Sequence, residues 1–436
     1  MKKSIFGGIL AATISMTAWG QTGTQSGTIS PYSQYGLGVL ADQSQSFNRG
    51  MNGTGLAMRD GKLVNTLNPA SYSAVDSLTM LFDAGLSLQL TNFKESGVSV
   101  NARNADFDYV AGLFRMRKNL GVSFGLLPFS DVGYSYKSSS YLNNTIGSLT
   151  ETYSGTGGLH QAYVGVGWQP LKGFSIGVNF AYLWGNYNRS VSSTSSSTVN
   201  SLSKTYKASI SSYDLTLGTQ WQMPLGRKNQ ITFGATWGLG HKLGADPTCD
   251  IVNVNTSTLL SDTTSFTINN GLELPMKYGV GLAWTHRDRL IVAADFTQQK
   301  WGSIDFPTYD ENAKQYVLRS GLLTDRTRMS LGADYVPDPT HPTKYLKHVH
   351  LRCGVAYATP YYKINGHDGP KELSVSAGFG LPLLSKWNTQ VGMRPVLNIS
   401  AQWARTSAQD LITDNTFRIC VGLTFNERWF AKWRID

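Results

Sequence analysis

The chain has 436 residues and a formal net charge of +10, but only 15% of its residues are charged, which is low for a soluble domain. Its basic residues fall largely in short segments, such as residues 115–118 and 286–289, and form no stripe along one element. This distribution argues against a nucleic-acid-binding protein. The three cysteines are too few and too widely spaced for a disulfide framework.

Residues 1–20 have the layout of a secretory signal peptide. Two lysines precede an apolar stretch from Ile5 to Ala18, and Ala18 and Gly20 place small residues where a signal peptidase reads them. The stretch is too short for a membrane-spanning helix, which needs ~20 apolar residues. We therefore expect an exported protein whose mature chain begins near Gln21.

Residues 21–75 do not show the alternation of a strand and are rich in glycine. A segment of this length either extends into the periplasm or folds into the lumen of the barrel that follows. The strands after it have small inward side chains, which leave room in the lumen, and an unfilled barrel of this size would enclose a wide aqueous hole. We therefore predict that residues 21–75 form an N-terminal plug.

From about residue 76 onward, large apolar residues alternate with small or polar ones at period two, which indicates strands rather than helices. In residues 175–184, for example, isoleucine, valine, phenylalanine, tyrosine and tryptophan occupy every second position. The other face is mostly Gly, Ala, Ser, Thr and Asn instead of charged residues. This pattern is typical of a barrel whose large side chains face lipid and whose small ones face a lumen.

Such segments predict an all-β protein, a transmembrane antiparallel β-barrel of about fourteen strands within residues 76–426. The strands are expected near residues 77–91, 104–115, 120–136, 159–169, 173–188, 205–222, 229–243, 271–285, 288–301, 326–336, 347–362, 371–382, 395–406 and 415–425. Short turns alternate with longer polar loops, predicted at 92–103, 137–158, 189–204, 244–270 and 302–325. This plan indicates the outer membrane of a Gram-negative bacterium, with residues 427–436 as a periplasmic C-terminal tail.

Four charged residues fall on the lumen face by parity, on successive predicted strands: Lys277, Asp295, Asp334 and Arg352. Because an isolated charge inside a barrel is costly, we expect these residues to be paired. Arg49 and Arg59 of the plug would be suitable partners for Asp295 or Asp334. The alternative is that Lys277 or Arg352 receives the carboxylate of a ligand.

Neither a metal site nor an enzyme active site is predicted. His341, His348 and His350 lie near Asp338, but the absence of cysteine and the loose spacing argue against a metal centre. The Gly-x-Ser-x-Gly pattern occurs at residues 121–125 and 173–177, but both copies lie within predicted strands and not at a strand-to-helix elbow, and no phosphate-binding loop is present in the sequence. We expect no cofactor and no enzymatic activity.

The segment from Gly53 to Ala57, followed by Asn68-Pro69-Ala70 just before the first strand, resembles the N-terminal hatch of outer-membrane long-chain fatty-acid and hydrophobic-compound transporters (FadL-type). The resemblance implies a divergent member with a fourteen-stranded barrel, an N-terminal hatch and an apolar path for hydrophobic ligands. It also implies that an inward kink in a strand opens a lateral gate to the bilayer. Pro128 in the third strand is the candidate for this kink, unless that strand has simply reached its rim there.

Within this motif, Asn68 is the main candidate for a functional role. Pro69 fixes the backbone, and an asparagine before it can bond neighbouring backbone groups and hold a turn. Gly53 and Gly55 are expected to permit close approach or an unusual φ. The alternative is that Asn68, Pro69 and Ala70 only position the entry to the first strand and that both glycines serve packing.

Three functions compete, and an unrecognised surface enzyme ranks last among them. The first is passive transport of hydrophobic, fatty-acid-like compounds through the plugged barrel, with outer-membrane lipid and a hydrophobic small molecule as partners and no nucleic acid. The second is a structural or scaffold barrel that binds exported proteins, as in type IX secretion barrels that resemble the same family. An apolar tunnel that continues past the plug would favour transport.

Overall fold

A computed structural model describes residues 29–77, 79–95, 97–141, 148–195, 200–255, 257–258, 260–338, 344–383, 395–409 and 411–428. The expected signal peptide, residues 21–28 of the expected plug, His341 and the tail beyond residue 428 lie outside the described residues. In the part of the chain that is described, no helix is long and apolar enough to cross a membrane.

Strands with alternately buried and exposed residues dominate the described chain, and fourteen of them form one antiparallel barrel sheet. They are β1 (Thr79–Glu95), β2 (Val98–Arg117), β3 (Leu120–Tyr141), β4 (Ser148–Leu171), β5 (Phe174–Ser195), β6 (Asn200–Leu225), β7 (Asn229–Gly238), β8 (Lys277–His286), β9 (Leu290–Gln299), β10 (Arg326–Tyr335), β11 (His350–Ala358), β12 (Lys371–Pro382), β13 (Val396–Ser407) and β14 (Thr413–Arg428). Each overlaps one predicted segment. β14 pairs with β1 from Arg428–Thr79 to Thr413–Lys94, so the barrel closes and the predicted fold class is confirmed.

Three of the predicted external loops are strand over most of their length. β1 and β2 continue to within a few residues of each other, and the hairpins β3–β4 and β5–β6 extend in the same way. Serine and threonine pair across these hairpins, as Ser190 does with Thr205, so the polar segments form ladders outside the hydrocarbon region. A further hairpin (Thr248–Asn255 and Ser261–Thr267) adds to this external sheet by pairing with β6.

The remaining elements are short. The described residues include five helical turns, at Pro31–Gln34, Ser46–Arg49, Pro69–Ala74, Trp301–Ser303 and Tyr345–His348. The short strands are Val39–Leu40, His241–Lys242 with Glu273–Leu274, Phe306–Asp310 with Gln315–Arg319, and Lys363–Ile364 with His367–Asp368.

A buried core covers the external end of the barrel. It combines side chains from the N-terminal segment, such as Tyr32 and Leu37, with Tyr187 of β5 and with Trp301 and Tyr361 of the external loops. These residues come from widely separated parts of the chain and pack into one core at this end of the barrel.

Candidate functional site

Residues 29–75, called the plug from here on, contact the inward face of the barrel on several sides. The helical turn Pro69–Ala74 lies against β4 and β5, Met51 lies against Gly354 of β11, and Ser46 lies against Gly422 of β14. Since these strands are far apart around the barrel, the plug spans the cross-section of the lumen.

Inward-facing glycines allow the plug backbone to lie directly on the strands. Gly121, Gly167, Gly177 and Gly218 are successive partners across β3, β4, β5 and β6. A Cβ atom at Gly177 would lie 2.5 Å from the carbonyl oxygen of Pro69, and one at Gly218 would overlap the Asn68 side chain. A larger side chain in this row would therefore displace the plug.

Asn68 joins the plug to the wall. Its buried side chain accepts a hydrogen bond from the backbone N–H of Ala70 at 3.1 Å, which caps the helical turn that begins at Pro69. Its Nδ2 donates to the carbonyl of Leu56 in the plug at 2.8 Å and to the carbonyl of Thr219 in β6 at 3.0 Å. The side chain thus holds two plug segments against one strand.

The glycines of the same motif are packed closely. Gly53 has a φ of +75°, a left-handed conformation that favours glycine. The backbone N–H of Gly55 and that of Leu56 donate to Asp295 at 2.6 and 2.9 Å. One of the four expected lumen charges therefore binds plug backbone.

The other three expected lumen charges form ion pairs. Lys277 lies 2.5 Å from Asp214 of β6, and Arg352 lies 3.3 Å from Asp334 on the neighbouring strand. Asp334 also contacts His350 at 3.0 Å. The sequence parity placed these residues on the lumen side, but it gave no sign of Asp214 as a partner.

The plug arginines have partners other than the expected ones. Arg49 pairs with Asp108 of β2 at 2.6 Å rather than with Asp295 or Asp334. Arg59 donates to the carbonyl of Ala70 and to neutral side chains, and burial lowers its pKa to about 10. Asp108 was not singled out from the sequence; its only signal is a charge inside a strand pattern.

Strands β2 and β3 separate part of the way up the wall. Their ladder runs from Arg117–Leu120 to Val110–Leu126 and ends there, although both strands continue. We call residues 98–109 of β2 and 127–141 of β3 the seam. Each strand has a register shift at this level: Asp108 is the extra residue in β2, and Phe129, directly after Pro128, is the extra residue in β3.

The plug bonds to both sides of the seam. Its strand Val39–Leu40 pairs with β3, and the N–H of Ala41 donates to the carbonyl of Phe129 at 3.0 Å. On the other side, Arg49 holds Asp108 at the β2 bulge. The plug therefore takes over part of the pairing that β2 gives up along the edge of β3.

A cavity of about 800 Å³ lies between the plug and the external core and reaches the seam. Phe107 and Leu127 line it at the seam, but Arg326, Arg328 and Arg418 line it farther in. Its lining is mixed, which differs from the wholly apolar path that the resemblance implies.

One plug carboxylate in this cavity stays ionised. Burial alone would raise the pKa of Asp42, but Arg328, Arg49 and hydrogen bonds from Ser44 lower it below its usual value. Of the residues considered for a metal, His350 contacts Asp334, and Asp338 contacts Lys347 and Arg289.

The closed barrel, the segment in its lumen and the opening in its wall define an outer-membrane-type β-barrel with a plug. A family model described as BamG matches residues 1–436, and the chain belongs to the BamG family. No curated protein matches the sequence.

Several solved structures of similar fold are titled as channels or transporters. The CymD monoaromatic hydrocarbon channel is 14% identical, with 91% of this chain and 100% of that chain covered and a TM-score of 0.58. The Ralstonia pickettii toluene transporter TbuX is 14% identical, covering 88% and 98% with a TM-score of 0.60. A Pseudomonas aeruginosa FadL homologue is 12% identical, covering 89% and 99% with a TM-score of 0.59. At these identities the likeness concerns the fold, and at that level it supports the expected resemblance.

Proposed function

We propose that this protein is a passive channel of a Gram-negative outer membrane through which small fatty-acid-like amphiphiles move between the bilayer and the lumen. The observation that carries the proposal is the seam, where β2 and β3 part beside a cavity of about 800 Å³. A ligand dissolved in the membrane would enter sideways without crossing the core at the external end of the barrel. That several solved structures of similar fold are titled hydrocarbon channels supports a transport role.

Apolar side chains lie on both sides of the proposed entry. Phe107 of β2 is 60% exposed and Leu126 of β3 is 47% exposed, and both belong to the lipid-facing surface. Leu127 and Phe129 are buried and continue the apolar surface into the cavity. A hydrocarbon chain that contacts these four residues would be shielded from water at the entry.

The inner part of the cavity suits an anionic head group. Arg326 and Arg328 line it, and among the described residues neither forms an ion pair with a carboxylate. Arg418 is held by the neutral side chains of Gln89 and Gln402. Arg328 interacts electrostatically with Asp42, and Arg326 with Glu372, and a ligand carboxylate or phosphate would add charge-assisted hydrogen bonds to these guanidinium groups.

The experiment is mass spectrometry of small molecules retained by the protein after purification in mild detergent, beside an unrelated barrel. Ala105→Trp places a large ring at the seam, where Ala105 lines the cavity. Ala401→Trp is the matched control, because Ala401 lies on β13 and does not line the cavity. We expect a near-stoichiometric amphiphile in the wild type and in Ala401→Trp, and its loss in Ala105→Trp.

A scaffold role is the second candidate, and the tight contact between plug and wall favours it. The row of glycines and the bonds of Asn68 and Asp295 hold the plug directly against the wall. If wild type and Ala105→Trp retain only the bulk lipid found with the unrelated barrel, the channel proposal is wrong. Cross-linking from the external hairpins to exported proteins would then be the measurement to make.

A further inference from the structure

The short turns at one end of the barrel carry exposed cations next to exposed apolar side chains. In outer-membrane barrels the short turns face the periplasm. In the β2–β3 turn, Arg117 and Lys118 are exposed beside Met116, whose side chain is 64% exposed. In the alternation of β2 between its bulge and the turn, Met116 falls on the outer, lipid-facing side of the strand.

The next two short turns along the wall repeat this combination. In the β4–β5 turn, Leu171 is 68% exposed and precedes the exposed Lys172. In the β6–β7 turn, Leu225 is 55% exposed and is followed by the exposed Arg227 and Lys228. Because β2 to β7 are consecutive neighbours in the sheet, the three turns form one continuous arc. We call residues 115–118, 171–172 and 225–228 the periplasmic arc.

The charge of this arc is not balanced by the protein. Within the described residues, no carboxylate forms an ion pair with any cation of the arc, which comprises Arg115, Arg117, Lys118, Lys172, Arg227 and Lys228. The turns on the other side differ. There Arg289 and Lys347 both lie near Asp338, at 3.3 and 3.6 Å.

We propose that the periplasmic arc binds the head groups of anionic phospholipids in the inner leaflet of the outer membrane. Turns at the end of a transmembrane strand lie at the depth of the lipid phosphates, where basic side chains are attracted to negative charge. The exposed Met116, Leu171 and Leu225 would contact the acyl chains just beneath. An acidic protein would bind the cations but would leave these apolar side chains without a partner. The combination of cations and apolar side chains therefore favours lipid.

This proposal does not depend on the transport proposal, because it concerns the outer surface and not the cavity. It is tested with the full-length mature protein in phosphatidylcholine vesicles that contain increasing amounts of phosphatidylglycerol. Brominated acyl chains on one lipid or the other quench tryptophan fluorescence on contact. Trp168 and Trp221 face outward, 50% and 54% exposed, near the ends of β4 and β6 that bear the arc. With the outward-facing Trp284 and Trp403 replaced by phenylalanine, the quenching compares the affinity of the two lipids at that surface.

The test variant combines Arg117→Gln, Lys118→Gln, Arg227→Gln and Lys228→Gln. Its matched control removes four exposed cations at the external end, with Lys94→Gln, Lys137→Gln, Lys314→Gln and Arg319→Gln. Circular dichroism of each reconstituted protein shows that the barrel is folded. All substitutions are at exposed positions in turns or external hairpins, so the comparison does not depend on a core change.

We expect the wild type and the control to prefer phosphatidylglycerol by at least about threefold at low salt. The arc variant should lose this preference, and high salt should abolish it in every protein, since it is electrostatic. Equal quenching by both lipids in the wild type would overturn the proposal. So would an equal loss of preference in the control, or binding of an acidic polypeptide to the arc with no lipid preference.

Discussion

The buried ion pair between Arg49 and Asp108 joins the plug to the seam, and its removal should loosen the plug. The two groups lie 2.6 Å apart, and both side chains are at most 10% exposed. Burial alone would lower the pKa of Arg49, but Asp108 and Asp42 raise it above its usual value. Arginine is not deprotonated in proteins, so Arg49 stays charged when Asp108 is replaced. Asp108→Asn leaves a buried guanidinium without its nearest counter-charge.

The size of the effect follows from this geometry. Breaking a buried ion pair by removing one partner costs about 3–5 kcal/mol. Arg49 keeps its bonds to the carbonyls of Ser44 and Asp42, at 3.2 and 3.4 Å, and asparagine retains one acceptor, so we take the lower end. About 3 kcal/mol corresponds to a rise of roughly 100-fold in the population of displaced plug.

Cys420 reports this population directly. Its side chain is 3% exposed, faces the lumen and lies 3.5 Å from Nη1 of Arg49. In a Cys249→Ser, Cys353→Ser background it is the single thiol left, because the sequence has three cysteines. Labelling by a water-soluble maleimide then requires the plug to move. We expect Asp108→Asn to raise the labelling rate about 100-fold over the parent protein.

Arg49→Met and the double variant complete the test. When Arg49 is replaced as well, Asp108→Asn leaves no buried guanidinium without its counter-charge. The double variant should therefore label no faster than the faster single variant. If the Asp108→Asn protein labels at the parental rate, the ion pair does not hold the plug. The same conclusion follows if the labelling rate of the double variant is raised by the product of the two single-variant increases.

Three further substitutions test the contacts between plug and wall. Asn68→Ala should raise the ion conductance of single barrels in a planar bilayer, whereas Asn65→Ala, whose side chain bonds plug carbonyls, should not raise it as much. Gly177→Val should lower the free energy of unfolding in urea by about 1–3 kcal/mol, because its side chain would overlap Pro69. Asp295→Ala leaves two plug N–H groups unpaired and should increase Cys420 labelling by roughly 10-fold, for a cost of about 1–3 kcal/mol; an unchanged rate would exclude that role.

The barrel was predictable from the sequence because the requirement on each strand residue is local. Every second residue of a strand must suit lipid, so residues such as Ile176, Val178 and Phe180 mark their strand without any knowledge of its neighbours. The external hairpins were missed for the same reason. Outside the lipid no face must be apolar, and the serine and threonine residues of β5 and β6 find their partners only through pairing.

The plug and the seam were only partly predictable. Asn68 and Pro128 were identified by motif and by the chemistry of proline, and they lie at the wall contact and at the β3 register shift. The alternation of side chains along a strand, however, places a charged residue on one face and does not indicate its partner across the lumen. The pairing of Arg49 with Asp108 joins positions 59 residues apart in the chain and depends on a bulge that no residue type signals.

The position of the plug and the width of the seam cannot vary independently. An unpaired strand edge inside a membrane is costly, and plug residues satisfy part of the edge of β3 that β2 leaves open. The same plug segment holds β2 through Arg49. Withdrawing it would free the β3 edge and remove the counter-charge of Asp108 in one movement, so re-pairing of β2 with β3 becomes favourable as soon as the plug leaves. A barrel with a loosened plug is therefore expected to close its seam. Lateral entry through the seam and passage through the lumen would then not be open at the same time.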